Sequence, residues 1–280
     1  MTHRCFQQER KTMRVLAVSL LLCVSAVFVA CGSGSVVSPS TGLSGNWVLT
    51  LQRHAHPVPV VYTGFLLQSG SSVAGSVILG GGCDGVGPVV GTLDGANLSL
   101  TINEFGQDVS LTGTLPTGSP SGSTFIGGAF SSVAGGCADF VSTGTWSAVR
   151  VTPLSGTFHG TLVGVSNSTT DTFNVTGTLT QGANTASSNA MLSGSITATG
   201  APHFCAYLST ATITGLISGT GVTLNLFDST GNQITQIAPA SVATTGTSLT
   251  CAQGATSCFT FPAISNACTG EQGTIQLSFP

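Results

Sequence analysis

His54-Ala55-His56 carries two imidazoles two positions apart. On an extended backbone both project from one side, where they can hold part of a metal shell that Asp84 or Asp139 would complete. Pro57 and Pro59 follow directly and mark the stretch as a loop, so the expectation is a pair of loop histidines, and neither a metal nor a cofactor is assigned. Arg53, Glu104 and Asp108 also fall beside turn signals, and with His54, His56, Asp84 and Asp139 they are expected in loops at one end of the structure. Loops usually carry function, which makes Arg53, His54, His56, Asp84 and Asp139 the candidate binding rim; a rim of solvated charges is the plainer reading of the same residues. Hydrolytic chemistry would need a nucleophile with its base, paired carboxylates, or a metal. The chain has no Gly-x-Ser-x-Gly elbow, no His-Glu-x-x-His helix and no phosphate-cradling loop ahead of a helix, and its carboxylates are dispersed. No catalytic residue is therefore nominated and no enzyme is expected; His159 and His203 are isolated and gain no role.

The elements that would position these residues are strands. Glycine, serine and threonine are abundant, Lys, Glu and Arg are scarce, and 41% of the residues are hydrophobic, a composition that favours strands and tight turns over helices or disorder. Apolar and polar residues alternate in Trp47 to Gln52, in Asn97 to Ile102 and again through Val109, Leu111 and Leu115. Glycine takes apolar-face positions at Gly113, Gly160 and Gly177, where a curling sheet leaves no room for a side chain.

The chain reads as two copies of one unit. Leu43-Ser44-Gly45-Asn46-Trp47 recurs as Leu154-Ser155-Gly156-Thr157-Phe158, and Tyr62-Thr63-Gly64-Phe65-Leu66 is echoed by Val175-Thr176-Gly177-Thr178-Leu179. Turn signals divide each copy into eight candidate strands, the seventh of the second copy, near 244 to 261, being interrupted. Eight strands in a meander close into a barrel without free edges, so the expected fold is all-β, with two tandem antiparallel eight-stranded meander barrels at 43–150 and 154–280; a pair of β-sandwiches is the structural alternative.

Arg10, Lys11 and Arg14 precede an apolar run from Val15 to Ala30, which is the layout of a signal peptide over residues 1–30. Val27-Phe28-Val29-Ala30-Cys31 resembles the lipobox of bacterial lipoproteins, which implies that Cys31 is acylated as the first mature residue, followed by a flexible Gly/Ser tether to residue 42. An uncleaved anchor and a plain secretory signal are the alternatives. Beyond residue 30 the only fixed cations are Arg53 and Arg150, against eight acids, a net charge of about −6. Nucleic acid is excluded as a partner, because its binding needs many Lys and Arg to displace counterions from phosphates. The localisation expected is the cell envelope, lipid-anchored and facing the periplasm or the exterior.

Outside the cytoplasm, six cysteines after Cys31 read as three disulfides, and the absence of any Cys-x-x-Cys pair argues against zinc. Matching positions in the two copies pair Cys83 with Cys137 and Cys205 with Cys268, leaving Cys251 with Cys258. Gly45-Asn46-Trp47 matches the Gly-x-Trp opening of lipocalins, and Arg150 follows the last strand of the first copy. In these two pieces the first copy resembles the calycin group, which includes lipocalins, fatty-acid-binding proteins and avidins; the second copy departs from it, with Phe158 for the tryptophan and no terminal arginine. In an eight-strand meander the start of the first strand and the end of the last lie side by side, so Trp47 and Arg150 are expected to meet at the end opposite the Cys83 and Cys137 bridge; the resemblance implies that the cation covers the indole and that the barrel interior holds a small molecule. The leading functional expectation is a non-catalytic lipid-anchored envelope protein that contacts a ligand or another envelope component. A calycin-like carrier of a small apolar molecule is the alternative.

Overall fold

The computed structural model describes residues 42–54, 56–80, 85–115, 125–133, 142–166, 169–184, 190–200, 209–260 and 272–280. Residues 1–41, which include the stretch expected as a signal peptide and Cys31, lie outside the described residues, as do Cys83, Cys137, Cys205, Cys268, Asp84, Asp139 and His203.

The first copy consists of β1 (Gly45–Arg53), β2 (Val60–Ser69), β3 (Ser72–Leu79), β4 (Gly85–Asp94), β5 (Asn97–Glu104), β6 (Gln107–Thr114), β7 (Phe125–Ser132) and β8 (Ser142–Arg150). Each strand pairs antiparallel with the next, and β8 pairs back onto β1, so the sheet closes into a barrel. Two-residue periodicity decides what lies inside: Trp47, Leu49 and Leu51 of β1, Leu98, Leu100 and Ile102 of β5, and Val109 and Leu111 of β6 are all buried in one core. Glycine on the inner face marks close approach. Gly113 and Gly128 face one another across β6 and β7, and a Cβ on Gly128 would sit 1.9 Å from the Thr112 carbonyl oxygen. The space they leave is taken by the indole of Trp146, whose Nε1 donates to the Thr112 carbonyl at 2.9 Å.

The second copy repeats the plan with β9 (Gly156–Ser166), β10 (Thr169–Gln181), β11 (Ala190–Gly200), β12 (Ala211–Ser218), β13 (Gly221–Phe227), β14 (Gln233–Val242), β15 (Ser248–Cys251), β16 (Phe259–Thr260) and β17 (Gln272–Ser278). Here β17 pairs with β9, β13 pairs with β14, and β15 and β16 share the seventh position, both lying between β14 and β17. Two closed barrels therefore stand in tandem, not sandwiches. The expected interruption of the seventh strand coincides with Pro239 in the facing strand, which has no amide hydrogen to give a ladder. The chain leaves the ladder at Cys251 and rejoins it at Phe259, and the Cys251–Cys258 disulfide closes the excursion. Removing it by Cys251→Ser with Cys258→Ser is expected to lower stability by about 2 kcal/mol, as loop entropy gives for so short a closure; a denaturant titration of the two proteins checks this.

Residues Val151 and Leu154 of the connection between the barrels are buried. Asn46 Oδ1 accepts from the Gly219 amide at 3.1 Å and from Asn184 Nδ2 at 3.2 Å, and Thr63 Oγ1 accepts from the Thr220 amide at 2.8 Å. Val48 packs against the core of the second barrel. Gly219 has φ 56°, and a Cβ there would lie 1.8 Å from Thr63 Oγ1, so the turn between β12 and β13 fits against β2 only with glycine at its tip.

Candidate functional site

An even number of alternating strands returns the chain to the end at which it entered, so the first barrel has an entry end, with the start of β1 and the end of β8, and a far end. The entry end is closed. Trp47 and Arg150 are paired across β1 and β8, and the guanidinium carbon lies 5.3 Å from the centre of the indole. Trp47 Nε1 donates to the Leu43 carbonyl at 2.8 Å, and Arg150 Nη2 donates to the carbonyls of Gly42 and Ser44, so the incoming chain is tied over the ring. Burial lowers the pKa of Arg150 from its ordinary value.

The far end is polar inside. A cavity of about 40 Å³ opens there, its apolar wall formed by Leu51, Val60, Val109 and Phe130 and its polar wall by Arg53, Tyr62, Glu104, Ser132 and Ser142. Glu104 is the main correction to the expected rim. It is the last residue of β5, in phase with Leu98, Leu100 and Ile102, and its carboxylate is carried into the barrel, where the residue is only 3% exposed. The Tyr62 hydroxyl, equally buried, donates to Glu104 Oε1. Burial and then the neighbouring carboxylate push the Tyr62 pKa well above the ordinary phenol value, partly offset by the positive charge of Arg53. The phenol therefore remains a proton donor at neutral pH, and the pair presents a carboxylate held by a neutral hydroxyl. The space beside it suits about three to four waters, at 10–15 Å³ of such volume for each.

The remaining rim residues are distributed around this mouth. Arg53 closes β1 rather than lying in a loop, and Asp108 is likewise on a strand, the second residue of β6, exposed and accepting from Asn103 Nδ2 at 2.9 Å. His54 is exposed and His56 half-buried in the connection to β2, where Gln52 Nε2 donates to the His56 carbonyl at 2.8 Å. Among the described residues no three His, Cys, Asp or Glu side chains gather as a metal site. Tyr62, Ser132 and Ser142 carry no motif, yet the parity of Val60 with Tyr62, inward on β2, was the available signal for the first of them.

A comparison with protein-family models returns no match to this chain, and a search of curated proteins likewise returns none.

Proposed function

We propose that the chain is a non-catalytic, lipid-anchored protein of the cell envelope, held through Cys31, that presents the far end of its first barrel to a ligand or another envelope component. The supporting observation is the asymmetry of that barrel. Its entry end, which receives the chain from the side of Cys31, is closed by Trp47 and Arg150, while its far end carries the polar mouth of Tyr62 and Glu104. Labelled palmitate fed to cells is expected to appear in the protein and to be absent from its Cys31→Ser variant. Equal label in the two would remove the anchor from this reading.

A carrier of a small apolar molecule is the second reading, favoured by the Trp47 and Arg150 closure that the calycin resemblance implies. Ligand pockets occupy roughly 300 to 1,000 Å³, and the mouth cavity is about 40 Å³. The mouth is therefore too small for such a molecule, and the larger hollow of about 520 Å³ beside Thr50, Gln52, Thr114, Thr145 and Ser147 is open rather than enclosed, which supports the first reading over the second.

A further inference from the structure

Apolar side chains collect on the outside of the far end of the first barrel. Val61 near the start of β2, Ile78 near the end of β3 and Val86 at the start of β4 are 46%, 43% and 67% exposed, and Ile78 and Val86 are direct cross-strand partners. Phe105, at the tip of the β5–β6 turn and 63% exposed, extends the patch, because its ring lies over Gly85, whose added Cβ would be 2.7 Å from it. Val58, in the adjoining β1–β2 connection, is 68% exposed. Isolated surface valines are ordinary; a contiguous apolar corner is not.

The backbone supplies a second, independent observation. Glu104 and Gln107 are paired, so Phe105 and Gly106 form a two-residue hairpin loop, with φ of 51° and 89°. Both positive values define the turn that asparagine-glycine or glycine-glycine serves best. Among the described residues Phe105 is the one non-glycine at positive φ, a conformation a bulky side chain adopts at an energetic disadvantage. A large apolar ring is thus held in solvent, on a backbone that disfavours it, at the apex of an apolar corner.

We propose that this corner is a membrane-seating surface that inserts Phe105 into a lipid bilayer. Its shape argues for a bilayer over a peptide or small ligand: the outer wall of a closed barrel and a protruding hairpin tip are convex and enclose nothing, whereas lipid yields around them. Its charge agrees. Arg53 lines the mouth, so the corner carries no fixed cation to draw it to anionic lipid, and Asp108 at that end and the overall negative charge direct it to zwitterionic lipid. The inference goes beyond the proposed function and does not require acylation. It is also compatible with it, since a chain extended from Cys31 to Gly42 reaches roughly 35–40 Å, more than a nine-residue strand spans.

The test uses residues 32–280, which contain both closed barrels with their cores and lack the acylated cysteine, so that its outcome is separate from that of the palmitate label. Flotation with vesicles of phosphatidylcholine and phosphatidylethanolamine is expected to carry this protein upward. Phe105→Asn is expected to weaken the partition at least about tenfold, the value of burying one large apolar side chain. The same variant is expected to melt no lower than its parent, because asparagine suits the turn, and that excludes unfolding as the cause. Absence of flotation by the parent, or flotation unchanged by Phe105→Asn, would overturn the proposal. A dimer that Phe105→Asn dissolves, with no vesicle binding, would overturn it as well and make the patch a contact between copies.

Discussion

Trp47→Ala is expected to destabilise the first barrel by about 3 to 5 kcal/mol, the range for truncating a buried indole. Three losses coincide at this position. The ring is 2% exposed at the bottom of the core, its Nε1 holds the Leu43 carbonyl, and it is the surface on which Arg150 rests while binding the carbonyls of Gly42 and Ser44. Arg150→Met is expected to do less, because the aliphatic part of the side chain still covers the ring while the charge-assisted hydrogen bonds disappear. Urea titrations followed by far-ultraviolet circular dichroism would read both. A Trp47→Ala midpoint equal to that of the parent would mean that the entry end is not closed by this stack.

Tyr62→Phe carries the second large effect. The phenol is the donor to a carboxylate buried inside the barrel, and a hydrogen bond to a charged group contributes about 1.5 to 3 kcal/mol, so the variant is expected to lose stability of that order. The pH dependence has a definite sign. Folding raises the Tyr62 pKa above its unfolded value of about 10, so the stability linked to this group is complete below pH 10 and is lost as pH rises beyond it. The limiting slope is about 1.4 kcal/mol per pH unit for one group. Parent protein titrated from pH 9 to 11.5 should show this alkaline decline and Tyr62→Phe should lack it; parallel curves would contradict the assignment.

Much of the architecture was legible because strand parity and turn chemistry agreed along the chain. The alternation through Trp47, Leu49 and Leu51 and the inward glycines at Gly113 and Gly177 point to the same curled, closed sheet that the structure contains. The interrupted seventh strand of the second barrel was visible as a break in that alternation, with Pro239 opposite as its physical counterpart. The site was less legible. Glu104 reads as a loop charge by its type, since carboxylates are rarely buried, yet Leu98, Leu100 and Ile102 fix the phase that carries it inward. Its partner Tyr62 is distant in sequence, and only the pairing of all intervening strands brings the two together. Phe105 falls between the fifth and sixth candidate strands, and nothing in the turn pattern tells that the tip carries its ring on a positive-φ backbone.

We propose a lipid-anchored protein that presents these barrels in the envelope and is not a carrier of an apolar molecule. Native mass spectrometry of the protein extracted from its own host in mild detergent tests it most directly. The expected species is a chain of residues 31–280 that carries a diacylglyceryl and acyl addition on Cys31, with no apolar small molecule retained. A protein unmodified at Cys31, or one that keeps a stoichiometric apolar ligand through the measurement, would contradict it.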